Sequence, residues 1–170
     1  MSEVRDRIED TIHAAPGIHF NAIVRKLDLG PGQVQHHSRR LESMDSIISE
    51  HFWGRTHYFP SGVDVADRRA IAVVRRETAH AILCRLLEDE PMSPSDLVED
   101  LSIARSTLEY HLDRLESVDL VTKQASNNRV QLTVADRKRA IQLSTIVDPN
   151  VIDQLTDRFE RLLDDIVSSY

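Results

Sequence analysis

The amino-acid sequence predicts a mainly α-helical protein that carries two small β-hairpins and is built from one repeated unit. Apolar residues recur at helical spacing through most of the 170 residues. Two pairs of short β-rich runs each enclose a turn, Trp53-Gly54 in the first pair and Ser126-Asn127-Asn128 in the second. The same order of segments occurs twice, and further helical sequence follows the second copy. These observations predict two similar domains and a C-terminal helical segment.

The clearest single element is the helix predicted within Ile103–Val121. It places Leu108, Leu112 and Leu115 on an apolar face and polar side chains on the opposite face. A shorter predicted helix, Pro94–Leu101, precedes it across a tight turn. Two helices joined by a three-residue turn form the arrangement in which the second helix of a DNA-binding protein enters the major groove.

An internal repeat relates the two copies. A shift of 74 residues places Gly17–Ile47 over Pro91–Val121 without a gap, with His37 over His111. The same shift places the turn Trp53-Gly54 over Asn127-Asn128. A repeat that matches helix, turn, helix and hairpin in one register indicates two copies of one fold.

The first copy is assigned to residues 1–60 and contains three predicted helices and a hairpin. Ser2 is the expected cap of a first helix, which Pro16-Gly17 ends. The remaining elements are helices at about Phe20–Leu27 and Gly32–Met44 and strands at Ile47–Phe52 and Arg55–Phe59.

The rest of the chain divides into a connector, a second copy and a tail. The connecting helix, residues 61–76, is expected to start near Asp64 or Asp67 and to continue unbroken to Glu88. The second copy, residues 77–135, has Ser93 as a helix cap and Pro94 at the first helical position. Its hairpin strands are Leu120–Gln124 and Arg129–Val134, and residues 136–170 form two helical runs broken at Asp148-Pro149.

The last helical run carries an apolar seam with alternating spacings of three and four. The seam residues are Ile152, Leu155, Phe159, Leu162 and Ile166. A helix of about 20 residues is too short to be stable alone and must pack on something. We expect a homodimer through this seam; a helix that folds back on its own domain is the alternative.

The composition limits the class of protein. The net charge of −7 argues against a nucleic-acid binder, which usually has a basic surface. However, 18 of the 21 basic residues are Arg and many acids are Asp, a composition typical of halophilic proteins, in which acidity is general. There is no membrane-length apolar run, no secretory signal and only one cysteine, Cys84, so a cytoplasmic protein without a membrane partner is expected.

The segments RSTLEYHLDRLESVDLV and, more loosely, GQVQHHSRRLESMDSII resemble the third helix and wing entry of winged helix-turn-helix transcription regulators. ArsR- and MarR-like proteins and archaeal regulators with tandem winged helices belong to this group. The resemblance covers about residues 1–135. It implies a sequence-specific regulator that binds double-stranded DNA, most simply as a homodimer on a palindromic site.

Three features depart from the pattern of these regulators. Asp45 and Asp119 stand where glycine usually ends the third helix, although Asp tolerates the left-handed conformation better than most residues. Ser38 replaces a buried Leu that is intact as Leu112, which predicts a weakened core or a pocket beside His37. The third helix of the second copy also carries Glu109 and Asp113, which would repel phosphates.

The resemblance implies that the outward positions of the third helices and the wing tips contact DNA. Gln side chains suit adenine edges, and Arg suits guanine or phosphate. In the first copy the candidates are Gln33, Gln35, His36, Arg39, Arg40, Arg55 and His57. In the second copy they are Arg105, Ser106, Thr107, Tyr110, Arg114, Lys123, Asn127, Asn128 and Arg129.

The first copy is expected to make most of the contacts with DNA, because it is less acidic than the second copy. Residues 1–60 contain seven Arg and Lys against eight Asp and Glu, whereas residues 76–135 contain six against eleven. Arg68, Arg69, Arg75 and Arg76, and Arg137-Lys138-Arg139, are either further backbone contacts or ordinary helix surface.

Other functions have weaker support. A tandem winged-helix module that binds proteins in a chromosome-organising or transcription complex is the main alternative. Six of the eight histidines lie in residues 1–60, but no ligand-spaced pair stands out, so no metal is expected. Cys84 is expected to be a buried structural thiol. The sequence shows no catalytic motif, cofactor site or clear small-molecule effector pocket.

Overall fold

The computed structural model of the chain describes residues 2–157 and divides between Arg75 and Arg76 into two compact units. We refer to residues 2–75 as unit 1 and residues 76–157 as unit 2. The seam residues Phe159, Leu162 and Ile166 lie outside the described residues.

Unit 1 is a small helical domain closed by a three-stranded antiparallel sheet. Its elements are α1 (Glu3–Ala14), β1 (Ile18–His19), α2 (Phe20–Leu27), α3 (Pro31–Ser43), β2 (Ile47–Phe52), β3 (Arg55–Pro60) and α4 (Val65–Val74). The strand order is β1-β3-β2, with Ile47 opposite Pro60 and Phe52 opposite Arg55. The apolar faces of α1, α2 and α3 meet the sheet in one core that includes Ile8, Ile12, Ile23, Val34 and Leu41.

Unit 2 repeats this plan. Its elements are α5 (Glu77–Glu88), α6 (Pro94–Leu101), α7 (Arg105–Ser117), β4 (Val121–Ser126), β5 (Arg129–Val134) and α8 (Arg137–Val147). Ser93 caps α6, since its hydroxyl accepts from the Asp96 amide at 3.1 Å. Residues 151–157 are again helical. The core contains Leu83, Leu86, Leu97, Leu108 and Leu112, each fully buried.

The repeat is more complete in the structure than in the sequence alone. Adding 74 to the residue numbers maps α1 onto α5, α2 onto α6 and α3 onto α7 with identical bounds. The strand pair β1–β3, with Ile18 opposite Tyr58, maps onto an isolated bridge between Met92 and Leu132. This third strand is too short to give a period in the sequence, and the sequence therefore did not predict it.

The expected unbroken helix from residue 64 to residue 88 is wrong. Asp64 does cap α4, but Arg76 is extended, with φ −75° and ψ 121°, and α5 begins at Glu77. The Arg75 guanidinium donates to the Pro16 carbonyl oxygen at 2.8 Å, which holds the end of α4 within unit 1. One extended residue between two amphipathic helices leaves the apolar periodicity almost unchanged, so the pattern could not reveal the break.

Asp45 and Asp119 both adopt the left-handed conformation that replaces glycine at the end of the third helix. Their φ values are 55° and 58°. The turn between the second and third helices uses the same conformation at Asp28 and Ser102, with φ 52° in each. The expectation that Asp preserves this turn is therefore confirmed.

Candidate nucleic-acid interface

The outer face of α3 is a continuous polar surface. Val34, Ser38 and Leu41 are buried, so the spacing of the helix turns Gln35, His36, Arg39 and Arg40 outward, and all four are exposed. Within residues 2–157, no ion pair involves either arginine. Two unpaired guanidinium groups and two hydrogen-bonding side chains thus share one helix face.

Gln33 has a structural role in addition to its predicted contact with a base. Its side-chain oxygen accepts from the Gly30 amide at 3.1 Å and so caps the start of α3. Gln33 is exposed, and its amide nitrogen does not take part in this bond. The exposed Gln33 side chain can therefore cap α3 and still present its amide group to a base edge.

The wing of unit 1 ends in a two-residue turn that projects Arg55. Trp53 and Gly54 have φ 47° and 77°, the sign that a type I′ hairpin turn requires at both positions. Arg55 follows directly and is exposed. Trp53, the single tryptophan of the chain, lies half-buried at this turn.

The predicted DNA contact at His57 is wrong. The side chain is 1% exposed, and its Nδ1 lies 2.7 Å from the Gly17 carbonyl oxygen, to which it donates. His57 pairs with His19 across β1 and β3, so it faces the interior. The two-stranded pattern in the sequence did not include β1, which covers His57, and therefore put this residue on the wing surface.

Helix α4 braces the same wing. Arg68 donates to Glu50 on β2 at 2.6 Å, and the Arg69 guanidinium carbon lies 5.2 Å from the centre of the Trp53 ring. Arg75 is engaged with Pro16, and burial lowers the pKa of its guanidinium. These connector arginines hold the first unit together instead of forming a free basic patch.

Charged side chains of unit 2 pair with one another on α7. Lys123 of β4 lies 3.0 Å from Glu109, 3.3 Å from Glu116 and 3.8 Å from Asp113, and Arg105 lies 3.1 Å from the other oxygen of Glu109. The Lys123 hydrogen bond is the main cause that lowers the pKa of Glu109. Burial alone would lower the pKa of Lys123, but the hydrogen bond to Glu109 and the charge of Glu116 raise it.

The other unit 2 candidates occupy different environments. Arg114 stacks on Tyr110, with its guanidinium carbon 3.5 Å from the ring centre, and also donates to the Tyr110 carbonyl oxygen at 3.2 Å. Ser106 is exposed and Thr107 is half-buried at the start of α7. Asn127, Asn128 and Arg129 are exposed at the second wing turn, where both Asn residues are left-handed.

Each unit has a shallow cavity between its wing and the start of its second helix. The unit 1 cavity measures about 200 Å³ and is lined by His19, Phe20, Asn21, His51, Gly54, Arg55 and Thr56. The unit 2 cavity measures about 500 Å³ and is lined by Ser93, Pro94, Ser95, Asp96, Arg105, Arg129, Val130 and Gln131. Repeat-related residues line both, but only the unit 2 cavity contains a carboxylate, Asp96.

Two exposed cations on α2, Arg25 and Lys26, did not appear among the predicted contacts. They lie on the polar side of a helix whose buried residue is Ile23, a signal that the helical period already contained. Of the basic run after the second wing, Arg137 donates to Leu87 and Arg139 to the Val118 carbonyl oxygen. Lys138 is exposed.

Metal and thiol chemistry have little support in the described part of the chain. Within residues 2–157, no group of three or more His, Cys, Asp or Glu side chains is placed to hold a metal ion. Burial, with Glu88 and Asp148, raises the pKa of the Cys84 thiol to about 11, so the reactive thiolate is scarce near neutral pH. No helix of the described residues is long and apolar enough to cross a membrane.

Comparison with known proteins matches both units to helix-turn-helix families. Residues 2–71 match a family described as an N-terminal HTH domain, and residues 79–124 match a family described as a helix-turn-helix domain. The fold and the two matches define the chain as a tandem winged helix-turn-helix protein. Each family model covers one unit, so the chain carries two helix-turn-helix domains.

An uncharacterized HTH-type transcriptional regulator of Methanocaldococcus jannaschii is 27% identical over 130 residues, which cover 76% of this chain. The chain matches only 33% of the length of that relative. Among solved structures, HlyU from Vibrio cholerae has a TM-score of 0.43 at 22% identity and covers 48% of this chain and 87% of its own. The transcriptional regulator HlyU from Vibrio vulnificus has a TM-score of 0.41 at 23% identity over 46% and 80% of the two chains.

Proposed function

We propose that the protein is a sequence-specific, DNA-binding transcription regulator and that α3 of unit 1 is its main reading helix. One observation carries the proposal: an exposed helix face with two arginines, neither of which forms an ion pair within residues 2–157, lies in a helix-turn-helix whose wing projects a third, Arg55. Arginine pairs with guanine edges or phosphate, and Gln35 can pair with an adenine edge. The two helix-turn-helix domains and the similarity to an HTH-type transcriptional regulator support this function.

We further propose that the regulator acts as a homodimer through the C-terminal seam. Within the described part of that seam, Ile152 is 50% exposed whereas the neighbouring Val151 is 1% exposed. Val151 therefore anchors the segment in unit 2 while Ile152 presents an apolar side chain to solvent. A symmetric dimer would bind two half-sites about one helical turn of DNA apart.

The proposed function is tested with DNA sites selected from random duplexes by the purified full-length chain. Arg39→Ala and Arg40→Ala should each weaken binding by about 10- to 100-fold, because one good arginine–base contact contributes about 1–3 kcal/mol of discrimination. Mobility-shift titration at fixed salt gives the dissociation constant. Circular dichroism shows whether each variant remains folded.

The exposed Glu3→Ala variant on α1 is the matched control and should bind as the wild type does. The single tryptophan offers a second readout, because Trp53 lies at the unit 1 wing and its fluorescence should change when DNA is added. Wild-type affinity in both arginine variants would contradict the role given to α3. Failure to select any site would contradict DNA reading as such.

A further inference from the structure

The repeat provides an internal comparison of the two reading helices. Because the helices have identical bounds after the shift of 74, each outward residue of α3 has one counterpart on α7. Gln35 corresponds to Glu109, and Arg39 corresponds to Asp113. At these two positions a neutral and a positive side chain in unit 1 are replaced by two carboxylates in unit 2.

The cations near α7 are engaged by those carboxylates. Arg105 and Lys123 both bond to Glu109, and Lys123 also faces Asp113 and Glu116. Asp113 remains 74% exposed in its side chain, so its charge projects to solvent even though Lys123 is near. A phosphate that approached this face would meet an exposed carboxylate and would have to break existing ion pairs to recruit Lys123 or Arg105.

The remaining reading positions of α7 are also occupied differently from those of α3. Arg40 and His36 of α3 correspond to Arg114 and Tyr110, whose side chains stack on each other. The Arg114 guanidinium also bonds to the backbone of its own helix. Extending it to a base would cost both contacts, whereas no ion pair holds Arg40 within the described residues.

We infer that α7 does not read DNA: unit 1 alone enters the major groove, and Glu109 and Asp113 are the residues that exclude unit 2 from this role. The inference rests on the proposed function and specifies which half of the repeat performs it. Like charges disfavour the wrong contact, so these two carboxylates confine recognition to one unit for each chain. The bound sequence should then be shorter than two tandem readers would require.

A pair of matched double variants tests the inference on the selected duplex. His36→Ala with Arg40→Ala in unit 1 should weaken binding by at least about 10-fold. Tyr110→Ala with Arg114→Ala, at the same repeat positions in unit 2, should leave the dissociation constant within about 2-fold. Both pairs are compared in the full-length chain, with the melting temperature as the check of folding.

A gain-of-contact variant avoids the problem of misfolding. The double variant Glu109→Gln with Asp113→Arg places the unit 1 residues at these two positions of unit 2. On a longer duplex it should extend the hydroxyl-radical footprint and steepen the salt dependence of binding by about one ion, since each added phosphate contact contributes about 0.9 to the slope. The reciprocal variant, Gln35→Glu with Arg39→Asp, should abolish the wild-type footprint.

The outcomes separate the inference from the proposed function. Equal losses in the two double alanine variants, or an unchanged footprint and salt slope in Glu109→Gln with Asp113→Arg, would overturn the inference while DNA binding stood. Absence of any wild-type footprint would instead overturn the proposed function. Weaker binding by the unit 1 double variant alone, together with the extended footprint of Glu109→Gln with Asp113→Arg, would establish the inference.

Discussion

Ser38 and Tyr58 show how single residues adjust the unit 1 core. In unit 2 the corresponding positions are Leu112 and Leu132, and all four side chains are buried. Burial raises the pKa of the Tyr58 phenol, Glu42 adds to the rise, and Ser38 and Arg39 oppose it, which places the phenol beside these groups. The small Ser38 is thus matched by a large Tyr58, at a place where the sequence predicted a weakened core or a pocket.

Unit 1 has Ser38 and Tyr58 where unit 2 has Leu112 and Leu132, so substitutions at these two positions of unit 1 should have coupled effects on its stability. Ser38→Leu should destabilise unit 1 by about 1–3 kcal/mol, because the added carbons overpack a site that Tyr58 already fills. Ser38→Leu combined with Tyr58→Leu should recover most of this loss by recreating the unit 2 pair. Urea unfolding followed by Trp53 fluorescence reports on unit 1. A Ser38→Leu variant as stable as the wild type would refute the pairing.

Histidine placement also depended on surroundings that the sequence did not specify. His111 is 9% exposed, and burial lowers the pKa of its imidazole, as Arg114 and Arg76 do to a smaller extent. Its repeat counterpart His37 is only half-buried and contacts the ring of His36. His111 therefore lies in the unit 2 core, whereas His37 is only partly covered in unit 1.

At the scale of elements, the close approach of α4 to the start of β1 fixes the shape of unit 1. Gly17 has φ +83°, and a Cβ atom there would lie 2.6 Å from the Ile71 Cγ2 atom and 3.3 Å from the Phe59 ring. The residue therefore needs glycine for its backbone conformation and for the space that α4 occupies. Pro16-Gly17 was expected only to end the first helix.

Gly17→Ala should destabilise unit 1 by about 2–6 kcal/mol, since a strained left-handed residue and an overpacked contact each cost about 1–3 kcal/mol. Gly62→Ala is the matched control in the same unit, because no atom lies within 4 Å of a Cβ built there. The control should change stability by less than about 1 kcal/mol. Thermal unfolding monitored through Trp53 compares the two, and similar melting temperatures would contradict this account of the α4 contact.

Element bounds followed the sequence closely wherever a helix had both a cap and an apolar stripe. The predicted Phe20–Leu27 and Pro94–Leu101 coincide with α2 and α6. Ser2 occupies the cap position of α1, but its side chain makes no capping hydrogen bond. Connections between elements were less predictable, because a two-residue strand and a single extended residue carry almost no periodic signal.

At the scale of the whole molecule, the proposed dimer makes a size prediction. A chain that ends at Asp157 lacks Phe159, Leu162 and Ile166 and retains the buried Val151. If the seam joins two copies, this deletion should convert a dimer of about twice the 19.4 kDa chain mass to a monomer in light scattering coupled to size-exclusion chromatography.

The shortened chain should also bind a palindromic site more weakly than the full-length chain while it retains binding to a single half-site. Circular dichroism serves as the folding control. An unchanged mass after the deletion would exclude the seam as the dimer interface, without bearing on the DNA-reading role of α3.

The sequence by itself determined the architecture of this protein: the repeat, the helix-turn-helix spacing, the hairpin turns and the resemblance to winged helix-turn-helix regulators. These features are local, because helical period, caps and turn residues act over a few positions. Only the tertiary structure decided which side chains are available. It buried His57 beneath β1, assigned Arg68 and Arg69 to the wing brace, and brought Lys123 from β4 onto the carboxylates of α7. These outcomes depend on contacts between residues that are distant in sequence. Neither the charge pattern nor the residue spacing along the chain predicts such contacts.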